Sequence, residues 1–152
     1  MQRNVQGDDT RPVYIAGPMR GRPLYNFPAF MRAEARLRDA GFLIVMNPAA
    51  RDLRRGFNPA LSLEANHFDL RDAFGFDLDW IARHAEAIYL LDGWEDSKGA
   101  AAERATALAL GIDVLYEVRP PAWLEARHSD EYKMGYKYGY EDGTADQQRT
   151  EP

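Results

Sequence analysis

The fold is decided by the stretch Val13-Tyr14-Ile15-Ala16-Gly17-Pro18. Consecutive apolar residues followed by Gly-Pro are typical of a short buried strand that stops at a tight turn. Further apolar runs occupy residues 42–46, 87–91 and 112–116. Apolar residues at helical spacing lie between these runs, at 26–40, 69–84 and 100–110. Strands that alternate with helices predict a parallel α/β sheet of four or five strands, with helices on both faces.

The ends of the first helix carry the usual boundary residues. Asn26 is expected to cap its start, Pro28 suits its first turn, and Gly41 follows its end. Residues 48–66 have no clear period, and we predict a mobile loop there with room for one short helix.

Three parts of the chain differ in character. Residues 1–11 are polar and predict a loose leader, and residues 12–118 carry the α/β pattern. Residues 119–152 form a tyrosine-rich extension, with a helix plausible over 121–134. The tail tyrosines could stack on a base, or pack against the sheet or a partner subunit.

Composition excludes several functional classes. The 152 residues have a formal net charge of −5, which argues against binding a nucleic acid polymer through its backbone. The chain has no cysteine and only three scattered histidines, so neither a thiolate site nor a metal site is expected. No apolar run approaches the ~20 residues of a membrane span. We therefore expect a cytoplasmic protein without a metal or other cofactor.

Parallel sheets bind ligands at the carboxyl ends of their strands, which here are the loops after the first and third strands. The first loop holds Gly17, Pro18, Met19, Arg20, Gly21 and Arg22. Its glycines would admit an anion close to the backbone, and its arginines offer forked donors to phosphate. The alternative is a surface turn with two solvated arginines.

The second loop runs into the alanine-rich helix. Ser97 could cap that helix and also contact a phosphate, with Gly99 beside it. Glu103 lies one turn further, among small alanines that leave room for a ligand. Taken alone, Glu103 could equally be a first-turn glutamate favoured by the helix dipole.

Two carboxylates, Asp77 and Asp79, flank an apolar position in the helix at 69–84. One of them could face the pocket and bind sugar hydroxyls, while the other belongs to a solvated helix face.

These pieces occur in one order: Tyr14-Ile15-Ala16-Gly17-Pro18, then Asp77, then the Ser-x-Gly-x-x-x-Glu of residues 97–103. That order resembles the nucleoside 2-deoxyribosyltransferase superfamily over residues 13 to about 116, in particular its small phage and bacterial branch. The resemblance implies a flavodoxin-like or Rossmann-like three-layer sandwich and a homodimer or larger homo-oligomer. In that family the tail often lends a residue to the neighbouring site, and no residue of this tail matches it.

The resemblance also implies roles. Glu103 matches the nucleophilic glutamate, Asp77 the aspartate that orients the sugar and assists at the base, and Tyr14 a tyrosine that lines the site. Gly17, Arg20 and Gly21 look like one half of the phosphate loop of monophosphate N-glycosidases, and Ser97 with Gly99 looks like the other half. Asp79 competes with Asp77 for the sugar role.

Together these features predict an enzyme that hydrolyses the N-glycosidic bond of a 2'-deoxynucleoside 5'-monophosphate. We expect the helix N-terminus and Arg20 to keep Glu103 ionised. The alternatives are a base-exchanging deoxyribosyltransferase, a nucleotide-binding or sequestering module without turnover, and a structural subunit that docks a partner through its tail.

Overall fold

The computed structural model describes residues 8–120. Most of the predicted leader and the predicted helix at 121–134 lie outside the described residues. The described part contains, in chain order, strand β1 (Val13–Ala16), helix α1 (Phe27–Asp39), strand β2 (Val45–Met46), helix α2 (Pro48–Arg54), helix α3 (Leu70–His84), strand β3 (Ala87–Leu90), helix α4 (Lys98–Ala109) and strand β4 (Asp113–Tyr116).

The strands form one parallel sheet in the order β2-β1-β3-β4. The chain moves outward from β1 to β2 and then crosses to β3 on the other side of β1. The connections therefore diverge at the carboxyl ends of β1 and β3, which is where open sheets of this kind bind ligands. Within the described residues the predicted parallel α/β sandwich is confirmed, with four strands.

Side chains alternate across the two central strands and build a core on each face of the sheet. Val13 and Ile15 point to the face covered by α1, where they meet buried Phe30. Tyr14 and Ala16 point to the opposite face, which contains Ile81 of α3. The sheet is thus the middle of three layers, and Tyr14 reaches the layer that holds both α3 and α4.

Of two predicted helix features near residues 26–66, the cap at Asn26 is wrong and the one short helix in 48–66 is confirmed. Asn26 precedes α1, but its side chain makes no capping bond and instead donates from Nδ2 to the Pro18 carbonyl oxygen at 2.9 Å. In the predicted loop 48–66, α2 occupies the first seven residues, because Asn47 caps it by accepting from the Ala50 N–H and Pro48 fits its first turn.

The second strand is shorter than its apolar run. Phe42 is buried in the α1-side core, whereas Leu43 and Ile44 are half exposed, and only Val45 and Met46 pair with β1. Phe42 instead forms an isolated bridge with Asp9, and the Asp9 N–H donates to the Gly41 carbonyl at 2.8 Å. Asp9, near the end of the predicted leader 1–11, is therefore attached to the domain.

None of the helices within residues 8–120 combines the length and apolar character needed to cross a bilayer.

Candidate active site

A cavity of about 320 Å³ opens at the carboxyl ends of β1 and β3. Three parts of the chain that the sequence analysis singled out meet in it: the loop after β1, the middle of α3 and the start of α4. The predicted site residues that line it are Tyr14, Gly17, Pro18, Met19, Arg20, Asp77, Ser97, Gly99 and Glu103. Its volume lies within the range of small-molecule sites.

Glu103 lies in the second turn of α4, beneath this cavity. Its side chain is 6% exposed, and its Oε2 is buried without a hydrogen-bond partner among the described residues. The neighbouring Ala100 and Ala107 pack against the sheet, which brings the helix close enough to bury the carboxyl. Burial raises the pKa of Glu103 to about 8, and the nearby Asp77 carboxyl adds to the rise, while the Tyr14 hydroxyl opposes it.

Asp77 faces the same cavity from α3. Its Oδ1 is buried and also lacks a hydrogen-bond partner within residues 8–120. Burial, with a contribution from Asp52, raises the pKa of Asp77 to about 7. The Tyr14 hydroxyl lies within range of both carboxyls, and burial beside them raises the pKa of Tyr14 well above its ordinary value. We call Tyr14, Asp77 and Glu103 the carboxylate wall.

The raised pKa of Glu103 contradicts the expectation that the helix N-terminus and Arg20 keep this residue ionised. Arg20 lines the mouth of the cavity with its side chain exposed, so water screens its charge. Desolvation of the carboxyl therefore outweighs the favourable charges. The raised pKa favours a protonated Glu103 below about pH 8.

Asp79 is excluded from the cavity. Its carboxylate accepts from Arg83 Nε at 2.7 Å in an exposed i,i+4 pair on the outer face of α3. The ambiguity between the two aspartates is thus resolved by helix geometry, because residues two positions apart point to opposite sides.

The loops at the other end of the cavity form the predicted anion site only in part. Ser97 caps α4 as expected by accepting from the Ala100 N–H at 3.2 Å. Gly99 and Lys98 line the cavity in the first turn, where backbone N–H groups have no acceptor inside the helix. Lys98 was not predicted as a site residue; like Arg20 it is exposed and lines the cavity.

The glycines of the first loop serve the turn and the packing. A Cβ on Gly17 would come within 2.7 Å of the Leu91 Cβ, so a side chain has no room there. Gly21 has a φ of 79°, which favours glycine, and it does not line the cavity. Arg22 is also outside the cavity lining, with its guanidinium over Gly93. The prediction that Gly21 and Arg22 contact the ligand is therefore not supported by this geometry.

The opposite side of the cavity is aromatic, and the sequence analysis missed it. Four rings contact one another in a chain, with centroids 5.3–6.4 Å apart. We call them the aromatic wall: Tyr25, Phe27, Phe57 and Phe68. Phe57 and Phe68 lie in the segment between α2 and α3, where the lack of a period hid them. Their only sequence signal is that they are the two phenylalanines of the irregular segment 55–69.

Backbone strain accompanies this wall. Leu24, Tyr25 and Asn26 form a left-handed turn with φ of 51°, 52° and 61°. Each such non-glycine residue costs roughly 1–2 kcal/mol. The turn is held by two hydrogen bonds, from Asn26 to the Pro18 carbonyl and from the Tyr25 hydroxyl to the Leu61 carbonyl at 2.8 Å. The strain presents the Tyr25 ring to the cavity.

Two further carboxyls line the cavity and were not predicted as site residues: the exposed Asp96, directly before Ser97, and Asp52 of α2. Asp52 is half-buried, and its burial raises its pKa, while Arg51 and Arg55 lower it. Within residues 8–120, no three His, Asp or Glu side chains are close enough to hold a metal ion, and this includes the four carboxyls of the cavity.

Comparison with known proteins identifies the family. Residues 11–116 match the family described as "Domain of unknown function (DUF4406)". The chain belongs to this family. The match covers every strand and helix of the described fold and all the cavity residues. No curated protein and no solved structure matches the chain.

Proposed function

We propose that this DUF4406 protein hydrolyses the N-glycosidic bond of a 2'-deoxynucleoside 5'-monophosphate, with Glu103 as the nucleophile. One observation carries the proposal: two buried carboxyls, each with an oxygen that has no partner among residues 8–120, face one cavity, and the Tyr14 hydroxyl lies within range of both. A buried carboxyl oxygen without a partner is costly to the fold. It is more easily understood if a ligand supplies the missing interaction. The resemblance to the nucleoside 2-deoxyribosyltransferase superfamily supports the same roles.

The remaining walls suit the parts of such a substrate. The aromatic wall offers flat surfaces for a nucleobase, as aromatic side chains do in other base-binding proteins. The first turn of α4, with Arg20 and Lys98 at the cavity mouth, suits a terminal phosphate. The carboxylate wall would then face the sugar.

The chemistry follows from the two carboxyls. The C1'–N bond breaks as Glu103 Oε2 approaches C1', and the electron pair of that bond leaves on the base nitrogen. Asp77 in its acid form donates a proton to the base, and Glu103 becomes esterified to the sugar. Water then attacks C1', gives its proton to Asp77 and releases deoxyribose 5-phosphate, which restores both groups.

The reactive form has a proton on Asp77 and none on Glu103. Glu103 holds its proton more tightly than Asp77, because the pKa of Glu103 is about 8 and that of Asp77 about 7. The positive charge that develops on the sugar attracts the ionised Glu103 and so favours that form. This attraction is strong because water is largely excluded from the cavity. Tyr14 assists, since its hydroxyl favours the ionised form of Glu103.

The test is a panel of all deoxynucleosides and their 5'-monophosphates, incubated with and without a free acceptor base and followed by chromatography. Free base and deoxyribose 5-phosphate from the monophosphates support the hydrolase. A new nucleoside that appears only with the acceptor base identifies a deoxyribosyltransferase. Tight nucleotide binding without any product over hours favours a sequestering module and refutes catalysis. Glu86→Gln, at the opposite end of β3, is the matched control for Glu103→Gln.

We also propose a homodimer or larger assembly, which light scattering on the purified protein measures directly.

A further inference from the structure

Asp52 has no evident structural task. Its carboxylate makes no hydrogen bond or ion pair with any residue in 8–120, although it is half-buried in the cavity wall. Its backbone does serve the fold, because its carbonyl accepts from the Phe57 N–H at 3.0 Å and so ends α2. That role belongs to the main chain and would be filled by any residue. The carboxylate itself is left facing the cavity.

The position of Asp52 relates it to two parts of the cavity. Phe57, which its carbonyl holds, belongs to the aromatic wall, where rings would stack on a base. The charge of Asp52 also raises the pKa of Asp77, which belongs to the carboxylate wall, where the sugar would lie. Asp52 therefore lies where the edge of a stacked base would meet the protein.

An ionised carboxylate can only accept hydrogen bonds, and it offers two oxygens side by side. Burial raises the pKa of Asp52, and the neighbouring Arg51 and Arg55 oppose that rise. The Watson–Crick edge of guanine presents two adjacent donors, N1–H and the 2-amino group. Adenine and cytosine place an acceptor nitrogen beside their amino group, and thymine places carbonyls on both sides of its single N–H. Guanine is thus the common base whose edge matches a carboxylate with both oxygens.

We propose that Asp52 determines base specificity, by accepting two hydrogen bonds from the edge of a guanine base. This inference rests on the proposed function, since it assumes that the cavity holds a nucleotide. It goes beyond that function by naming the substrate class and the residue that selects it.

Equilibrium binding tests the assignment without turnover. Calorimetric titrations use Glu103→Gln protein, so that the ligand is not consumed, with and without Asp52→Asn. The probes are the 5'-monophosphates of deoxyguanosine, deoxyinosine, which lacks only the 2-amino group, and deoxyxanthosine, which carries a carbonyl there. Deoxyribose 5-phosphate serves as a probe without a base. Asp79→Asn, on the outer face of α3, is the matched control.

Guanine should bind roughly 10–100-fold more tightly than hypoxanthine in the parent protein. Asp52→Asn should remove that preference and shift it toward xanthine, because an amide can accept from N1–H and donate to the C2 carbonyl. Affinity for deoxyribose 5-phosphate should stay unchanged. Asp52→Ala should remove the preference for guanine over hypoxanthine without a shift toward xanthine. This second variant keeps the test usable if Asp52→Asn does not fold.

An unchanged ratio of guanine to hypoxanthine affinity in Asp52→Asn would overturn the assignment. If Asp52→Asn lost as much affinity for deoxyribose 5-phosphate as for deoxyguanosine 5'-monophosphate, the assignment would also be overturned, because Asp52 would then contact the sugar. If the selectivity appears but wild-type protein releases no base, the proposed hydrolysis fails and the assignment of Asp52 stands. If no nucleotide binds, both proposals fail.

Discussion

The two walls of the cavity are built in different ways. The carboxylate wall lies on regular elements, with Tyr14 on β1, Asp77 on α3 and Glu103 on α4. Most of the aromatic wall lies on irregular segments, including a left-handed turn at Tyr25 and the stretch around Phe57 and Phe68. Strands and helices fix a side chain to within a fraction of an ångström, whereas loops adapt more readily. We infer that the carboxylate wall performs the chemistry and the aromatic wall adjusts to the base.

This division predicts that changes in the carboxylate wall lower kcat, whereas changes in the aromatic wall and at the mouth raise KM.

The largest effect is expected for Glu103→Gln, which keeps the shape of the side chain and removes the nucleophile. Base release should fall at least ~10⁴-fold, because a covalent intermediate can no longer form. Turnover within tenfold of wild type would remove Glu103 from the mechanism.

The same variant should be more stable than wild type at alkaline pH. The folded-state pKa of Glu103, about 8, lies above the ordinary value of 4.5, so the wild type loses stability as the pH rises from 4.5 to about 8, and the loss is complete above that pH. Glutamine cannot ionise. Its melting temperature should exceed that of the wild type by at least ~5 °C at pH 9 and by much less at pH 4.5, as measured by calorimetry.

The second effect concerns Asp77→Asn, which removes the proton donor. We expect kcat to fall about 10²–10³-fold. The wild-type kcat/KM should be bell-shaped in pH, falling below about pH 7 and above about pH 8 as the two carboxyls gain or lose protons. Asp77→Asn should lose the alkaline limb. Asp79→Asn is the control, and an equal loss of activity there would mean that Asp77 has no special role.

A smaller effect is expected at the mouth. Arg20→Ala should raise KM for monophosphates by about 10–100-fold and leave nucleosides almost unaffected, because a charged hydrogen bond to phosphate is lost. Arg22→Ala, two residues on and outside the cavity lining, should change KM less than threefold. Steady-state kinetics on matched nucleosides and nucleotides measure this difference. An equal rise in KM for both kinds of substrate in Arg20→Ala would contradict the phosphate assignment.

The smallest effect is expected for Tyr25→Phe, which keeps the ring and removes the hydrogen bond to Leu61. Loss of one exposed bond, worth about 1 kcal/mol, should raise KM a few-fold with kcat unchanged. A loss confined to kcat would instead place Tyr25 with the catalytic residues and remove the distinction between the walls.

Much of the carboxylate wall is predictable from the chain, because its residues sit on elements with a strong period. The run at 13–18 predicts β1, and the alanines around Glu103 predict a helix that packs closely. The aromatic wall is not predictable in this way. Phe57 and Phe68 lie in a segment without a hydrophobic period. The position of Tyr25 depends on a left-handed turn whose residues are not glycines, so the sequence does not predict it.

By itself, the sequence determined the order of strands and helices, the capping of α4 by Ser97 and the position of Glu103 in the helix that follows the third strand. These follow from local periodicity and from the rule that parallel sheets bind ligands at the carboxyl ends of their strands. The joint roles of Tyr14, Asp77 and Glu103 were implied only by the resemblance. Tertiary structure alone decided that Asp77 rather than Asp79 faces the cavity, that Asp52 joins it, and that Glu103 is buried. The pKa of Glu103 depends on how much water the packed layers exclude, and residue spacing carries no measure of that exclusion.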